Sequence, residues 1–377
     1  MGKKKVINST PLVYSSPSPA KEKASFYNMP DSTASNLVLD ILGAGENIAD
    51  LPARKHQVSH SAKYQVMEDG NKRLITMKKG TAEITIELAD IDKLTGSNKP
   101  AKKLFVLSLI KANEQAIHDG ILTQDYVSFP LKELVDIGFY KRLNSARAGF
   151  NAGADTLTSF KVKGKQQKSK KSKSSIESLE VLFTGAKIKN GQCYIYFNPR
   201  ISWGFFAQYF TIIPRYYFKL PSRASDLLYY IFFLARQNTQ EIEEHGYFTV
   251  GFRAIQHKLQ LPDERQCKNP QRDIKSPIEE AITQIEDEHH STFKDFTDMM
   301  GFKLLPVYDE GATIGEYLDN GYLKVSLEGE FAKMFIQISL DTKKQIKQAE
   351  QRKARITEKA IAIKTAQNMT TSTKQQS

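Results

Sequence analysis

The sequence predicts an α+β fold in which one unit is built twice. Each copy runs in the same order: a long apolar helix, a short strand, a short helix that begins near a glycine or proline, a second helix with basic residues at its start, and an aliphatic hairpin. The first copy spans about residues 100–199 and the second about 222–335. This order is that of a winged helix, which is a helix-turn-helix followed by a β-hairpin wing. We therefore expect two tandem winged-helix domains, with a small β meander before them and a flexible basic tail after them.

The first copy starts with an apolar helix over 102–118. Tyr126–Phe129 is the short strand, and Pro130 stands where the first residue of the short helix belongs. Gly138 makes the turn into a second helix over 141–158. The basic residues on the outer part of that helix are Lys141, Arg142 and Arg147.

Turn chemistry predicts the strands of the first copy. Asn190-Gly191 lies between two apolar runs, 179–183 and 192–197, and this dipeptide is a strong hairpin signal. Upstream, alternating apolar residues between Tyr64 and Leu88 predict the small antiparallel meander.

The second copy repeats the pattern more sharply. Ser222 is a candidate cap for a helix over 223–237, followed by a strand over 247–250, a helix over 252–259 and a wing from 302–308 and 322–327 with a polar tip. The recognition helix, about 270–286, has an isoleucine stripe, and Pro277 within it implies either a kink or a helix start at Ser276. The candidate DNA-contacting residues here are Arg253, Lys268, Arg272 and Lys275.

The positive charge is concentrated in two segments. The chain has a net charge of +12 and a pI of about 9.3, which favours an anionic partner. Residues 160–176 contain seven lysines and no acid, and the tail from Asp341 carries nine basic residues against three acidic ones. We interpret the first segment as a lysine-rich loop that contacts phosphates, and the tail as a basic helix that frays. The seven lysines are Lys161, Lys163, Lys165, Lys168, Lys170, Lys171 and Lys173.

The segment that joins the two copies, Trp203–Leu220, is strongly aromatic. It is either a stacking surface for single strands or a hydrophobic seam that packs two domains together, and we favour the seam.

Several functional classes lack their signatures. The two cysteines form no CxxC motif and indicate free thiols in a reducing cytoplasm, and no apolar run is long enough to span a membrane. There is no signal-peptide pattern, no Walker A motif and no His-hydrophobe-His triplet of a rolling-circle nickase. We therefore expect a cytoplasmic binding protein that is not an enzyme and needs no cofactor or metal.

We divide the chain into four parts. Residues 1–60 are a mostly flexible N-terminal segment, and 61–200 are the first winged-helix domain with the meander and lysine loop. Residues 201–340 are the second, DNA-reading domain, and 341–377 are the basic tail.

The second copy resembles the second winged-helix domain of the initiator replication proteins of theta-replicating plasmids, which bind iterons. Residues 220–231, LPSRASDLLYYI, are similar to the helix that opens that domain, and 248–261, FTVGFRAIQHKLQL, to its strand and short helix. Residues 274–282, IKSPIEEAI, resemble its recognition helix. The resemblance covers about 100–335.

The resemblance implies a mechanism without covalent chemistry. Monomers bind double-stranded DNA at origin repeats, each domain placing a helix in a successive major groove. Binding bends the DNA, helps to open an A·T-rich stretch and recruits the host helicase. Dimers paired through the first domain repress the protein's own gene. The rival hypotheses are a winged-helix transcriptional regulator without a replication role and a nucleoid-type binder without sequence preference.

Overall fold

A computed structural model describes the backbone of most of the chain. The described residues are 26–31, 38–39, 42, 55–57, 63–69, 72–79, 82–88, 92–115, 117–118, 121–122, 124–159, 161–167, 175–181, 183–198, 209–294, 301–337 and 340. The basic tail therefore lies outside the described residues.

The N-terminal region supplies five strands: β1 (Phe26–Asp31), β2 (Lys55–Gln57), β3 (Lys63–Asp69), β4 (Lys72–Lys79) and β5 (Ala82–Leu88). Strands β3, β4 and β5 pair in antiparallel order, which confirms the predicted meander. Within the segment expected to be mostly flexible, β1 and β2 are regular strands.

The N-terminal unit, residues 92–198, follows the predicted order. It contains α1 (Asp92–Gln115), the short strands β6 (Ile117–His118) and β7 (Ile121–Leu122), β8 (Tyr126–Pro130), α2 (Glu133–Asp136), α3 (Leu143–Ser159), β9 (Lys161–Gln167), β10 (Ser175–Val181), β11 (Phe183–Lys189) and β12 (Gln192–Phe197). The hairpin β11–β12 turns at Asn190 and Gly191, whose φ angles of 52° and 75° are both positive. Such a turn requires residues that tolerate the left-handed region, which is why Asn-Gly predicts it. The first strand of this hairpin is Phe183–Lys189 and not the predicted 179–183, because residues 179–181 pair with β9 instead.

The lysine-rich segment is not a loop along its whole length, which corrects the sequence interpretation. Strands β9 and β10 form a hairpin that extends the meander into a six-stranded sheet of order β10-β9-β5-β4-β3-β2. The lysines of β9 occupy every second position, which is the period of a β-strand. Strand β9 forms because it can pair with the edge strand β5 of the meander. In register, Lys161 pairs with Glu87, and Lys165 pairs with Glu83 and Glu177. Residues 168–174 lie outside the described residues.

The C-terminal unit, residues 222–337, also follows the predicted order. Strand β13 (Tyr209–Pro214) and a 3₁₀ turn (Arg215–Phe218) lead into α4 (Ser222–Gln237), α5 (Thr239–His245), β14 (Tyr247–Gly251), α6 (Phe252–Lys258), α7 (Ser276–Thr292), β15 (Phe302–Val307), α8 (Ile314–Asn320) and β16 (Tyr322–Leu327). A helical segment, 329–337, follows. The chain is thus α+β with small antiparallel sheets.

The two units share one sheet topology. Each three-stranded sheet places its last strand in the middle, in the order β8-β12-β11 in one unit and β14-β16-β15 in the other. The first strand of each sheet precedes the short helix, and the other two follow the long second helix. This arrangement is compatible with a winged-helix-like fold.

Helix α7 starts at Ser276, which is one of the two arrangements expected from Pro277. The proline lies in the first turn, where it is tolerated, behind one π turn over Gln271–Lys275. Two details of the C-terminal unit differ from expectation. Ser222 is not the cap of α4, since Pro221 holds that position and no side chain caps the helix. The wing tip contains helix α8, which Thr313 and Glu316 start with a reciprocal capping box.

The two units share one continuous core at the joining segment. On α1, the buried Lys103 ammonium donates hydrogen bonds to the carbonyl oxygens of Phe218 at 2.8 Å and Leu220 at 2.6 Å. Lys102 forms an ion pair with Asp226 of α4 at 2.5 Å. Helix α1 of the first unit is therefore bonded to the start of the second unit.

Strand β1 completes this junction. It pairs with β13 along its whole length and contacts α1. Phe26 stacks on Phe293 and Phe331 of the C-terminal unit at 5.5 and 5.4 Å between centroids, and Arg215 donates to the Tyr27 hydroxyl at 3.1 Å. The N-terminal strand thus ties the two units together.

The aromatic joining segment packs as the seam hypothesis predicts. Tyr216, Tyr217 and Phe218 are each 1% exposed. Tyr216 hydrogen-bonds His289 of α7 at 3.1 Å. The stacking hypothesis is wrong for these three residues, since buried rings cannot meet a base. Residues 203–208 lie outside the described residues.

Lys103 generates a pH prediction. Burial lowers its pKa from 10.5 to about 8, although Asp226 opposes the shift. Between pH 8 and 10.5 the unfolded chain therefore binds more protons than the folded one, and stability rises with pH. Through this window the wild type should gain about 2–3 kcal/mol in free energy of unfolding relative to Lys103→Met.

Denaturant unfolding at several pH values measures this gain. Lys141→Met is the control, because it removes an exposed ammonium and keeps Lys103 with its neighbours, and its curve should rise like that of the wild type. Parallel curves for wild type and Lys103→Met would contradict the prediction.

Candidate nucleic-acid interface

The basic residues around the start of α7 fall into two groups. Lys268 is exposed, and the Arg272 side chain is 74% exposed with its Nε donating to Asp273 at 2.9 Å. The turns that precede α7 hold both residues out from the unit, because the isoleucines behind them anchor the helix. Ile274, Ile278, Ile282 and Ile285 are all buried, as the stripe predicted.

Lys275 and Arg253 are held inside the unit. The Lys275 side chain is 19% exposed, and its ammonium lies 4.3 Å from the ring centroid of Tyr308 and 5.3 Å from that of Tyr317. Arg253 donates from Nε and Nη2 to Asp319 at 2.9 and 2.7 Å. Both side chains link the helices to the wing, so their geometry is that of structural contacts.

The rest of the α7 surface is acidic. Glu280, Thr283 and Asp287 are exposed along the helix, and Glu288 forms an ion pair with Lys219 at 2.8 Å. Carboxylates repel phosphates, so α7 suits DNA only at its N-terminal end. Recognition helices do contact base edges mainly through their N-terminal residues.

Helix α3 presents a different surface. Lys141 and Arg142 are exposed before it, and Arg147 is exposed on it, where the sequence placed them. Asn144 and Asn151 are also exposed, and with Arg147 they follow the i, i+3, i+7 spacing of one helix face. Asn suits adenine and Arg suits guanine in bidentate contacts, so this stripe has base-reading chemistry.

The sequence analysis missed Asn144 and Asn151. Their spacing around Arg147 indicates a shared helix face, but a search for charged side chains does not find neutral amides.

Gly149 on the same helix leaves space for Tyr140, because a Cβ there would lie 2.0 Å from the Tyr140 hydroxyl oxygen. Burial raises the pKa of that hydroxyl to about 12, so Tyr140 packs as a neutral ring at the helix start.

The structure separates the candidate lysines of the first unit. Lys161, Lys163 and Lys165 alternate along β9. Lys170 and Lys171, with Lys168 and Lys173, lie outside the described residues.

Comparisons with known proteins leave the family open. No protein-family model and no curated protein matches the chain. Among solved structures, the chain is similar to a crystal structure of RctB domains 2–3, with a TM-score of 0.39, 10% identity, and coverage of 78% of this chain and 99% of that one. A selenomethionine derivative of the same domains has a TM-score of 0.39 and 10% identity, with coverage of 77% of this chain and 98% of that one. A likeness at this level assigns no function to this chain.

The helices that the structure describes include none with the length and apolarity to cross a bilayer.

Arg272 and Arg253 generate a paired prediction. Arg272→Ala should weaken specific DNA binding by about 1–3 kcal/mol and relax preference at one or two base pairs, because Arg272 is exposed at the helix tip. Arg253→Ala should instead lower the free energy of unfolding by about 1 kcal/mol and leave base preference unchanged, because it breaks the link to Asp319.

Binding to a selected site and to random duplex, together with thermal unfolding, measures both variants. Equal weakening of specific and random binding in Arg272→Ala would contradict base reading, and altered base preference in Arg253→Ala would contradict its structural role.

The lysines between β9 and β10 generate a second prediction. Changing Lys168, Lys170, Lys171 and Lys173 to Gln leaves β9 and β10 in place, whereas deleting 161–173 removes a strand from the middle of a six-stranded sheet. We expect weaker DNA binding and a slope of log K against log salt that flattens by about 0.9 for each phosphate that the variant no longer neutralises. An unchanged slope would show that these lysines do not touch DNA.

Proposed function

We propose that this chain is a replication initiator that binds repeated sites in double-stranded DNA through two tandem winged helices. The observation that carries the proposal is the repetition of one unit with one sheet topology, each copy presenting exposed basic residues at the start of its long second helix. The resemblance of the second copy to iteron-binding initiators supports the same function.

The two helices have different tasks in this proposal. Helix α3 lies in one major groove and reads bases with Asn144, Arg147 and Asn151, while α7 enters a neighbouring groove by its tip with Lys268 and Arg272. The acidic remainder of α7 faces away from the phosphates. Helix α3 thus reads most of the bases, and the tip of α7 reads one or two base pairs, sets the register and adds affinity.

The junction determines the spacing of the two helices on DNA. Lys103, Lys102 and strand β1 bond the units together, so the two helices move as one body. A protein with fixed helix spacing prefers sites whose half-sites lie on one face of the duplex, about one or two turns apart. Tandem repeats of about 20 base pairs fit this requirement.

The remaining steps follow from binding and need no enzymatic chemistry or cofactor. Binding at adjacent repeats bends the duplex and favours melting of a neighbouring A·T-rich stretch, where the host helicase or host initiator protein is recruited. A dimer in equilibrium with the monomer pairs through the N-terminal unit and represses the gene. The protein acts in the cytoplasm, and the 168–173 lysines and the basic tail bind further phosphates.

Footprinting together with permanganate reactivity of unpaired thymines tests the proposal on the DNA that neighbours the gene. We expect protection of direct repeats and new reactivity in an adjacent A·T-rich stretch. Protection of a single promoter palindrome without melting would favour a transcriptional regulator. Binding without sequence preference at raised salt would indicate a nucleoid-type protein.

A further inference from the structure

Three tyrosines form a cluster on the outer face of the β8-β12-β11 sheet. Tyr194 and Tyr196 stand on the central strand β12, and Tyr126 is paired with Tyr196 on β8. The ring centroid of Tyr126 lies 6.1 Å from that of Tyr194 and 5.7 Å from that of Tyr196. All three are partly exposed, whereas the alternate residues of β12, which include Cys193 and Ile195, are buried in the core.

Positive charge lies beside this cluster, on strand β11. Lys187 on β11 is exposed, and its Nζ lies 5.6 Å from the centroid of Tyr194 and 5.1 Å from that of Tyr196. Lys189 is exposed two positions along the same strand, opposite Gln192. None of the outward positions on these three strands is acidic. They are Tyr126, Ser128, Pro130, Gly185, Lys187, Lys189, Gln192, Tyr194 and Tyr196.

We propose that this face, Tyr126, Tyr194 and Tyr196 with Lys187 and Lys189, binds single-stranded DNA. The site is separate from α3 and α7 and does not depend on duplex recognition. Every base has a π-face, so partly exposed rings on a sheet bind unpaired strands without strict sequence preference. In the free protein the Lys187 ammonium lies over two rings. When a base stacks there, this flexible side chain moves to the adjacent phosphate.

A second copy of the chain is the less favourable occupant. Two copies related by a two-fold axis on this face would bring Lys187 and Lys189 towards the same lysines of the partner, and no outward acid is present to pair with them. Strand addition at β8 is also disfavoured. Gln115 occupies that edge by donating to the Ser128 carbonyl oxygen at 2.9 Å and accepting from its N–H at 3.1 Å.

The matching face of the C-terminal unit lacks the cluster. There Tyr247 pairs with Ser326 and Tyr322 with Gly251, at opposite ends of the sheet. The Lys324 Nζ lies 3.8 Å from the ring centroid of Tyr247, whose other ring contact is with His245 at 6.0 Å between centroids. Tyr247→Ala therefore removes a similar tyrosine–lysine interaction without touching the cluster, which makes it a matched control.

Fluorescence anisotropy of the full-length chain with labelled oligothymidine of about 15 nucleotides tests the proposal, with origin duplex as the parallel probe. Tyr194→Ala and Tyr196→Ala should each weaken oligothymidine binding about tenfold, the reduction expected for one stacked base. Tyr194→Phe and Tyr247→Ala should bind as the wild type does, and duplex affinity should not change in any of them.

Lys187→Glu keeps the test decisive if an alanine variant does not fold, because Lys187 is exposed. It should weaken oligothymidine binding and leave the melting temperature unchanged. Wild-type oligothymidine affinity in Tyr194→Ala and Lys187→Glu would overturn the proposal. So would loss of self-association in sedimentation velocity with oligothymidine binding intact, since a second copy would then cover this face. Failure of the duplex function would appear separately, as absence of specific duplex binding by the wild type.

Discussion

The architecture depends on the hydrogen bonds of one buried side chain, Lys103, at the boundary between the two units. The Lys103 ammonium leaves water to bond two carbonyl oxygens of the joining segment, and burial of an ammonium is costly unless its donors are satisfied. The bonds of Lys103 are directional, so they orient α1 against the joining segment. A purely apolar seam would allow the units to slide and reorient. The surrounding aromatic residues exclude water from these bonds, and the bonds in turn hold the aromatic residues in one arrangement.

In our proposal, this junction matters for function because it fixes the spacing between α3 and α7. Two identical topologies present unlike helix surfaces: amides and arginine on α3, and a basic tip with acidic flanks on α7. The two units thus share a scaffold and differ in their surfaces. The outer faces of the sheets differ as well, since among the described residues the N-terminal unit gathers three tyrosines beside a lysine and the C-terminal unit does not. In our account, the N-terminal unit carries both the longer base-reading stripe and the single-strand face, and the C-terminal unit reads one or two base pairs with the tip of α7 and sets the register.

Local patterns predicted what local physics determines. The Asn190-Gly191 turn, the isoleucine stripe of α7 and the order of elements in both copies follow from short-range rules. Contacts between distant residues were not predictable in this way. Strand β1 pairs with β13 although about 180 residues separate them, and nothing in an isolated Phe26–Asp31 segment indicates its partner. Arg253 and Lys275 look like surface cations in the sequence, because Asp319 and Tyr308 lie far along the chain.

Affinity cleavage tests the central claim, which is that one rigid body places α3 and α7 in two grooves of one duplex. Burial raises the pKa of Cys193 to about 12, so this thiol resists labelling, and Cys267→Ser removes the other one. An iron-chelate cleaver is then attached through Ser145→Cys or Gln271→Cys, which are exposed neighbours of Asn144 and Arg272, and the labelled protein is bound to the selected duplex. We expect two separate cleavage clusters whose centres lie a whole number of turns apart, about 10 or 20 base pairs. Cleavage from only one position, or clusters at the same base pairs from both, would contradict the account.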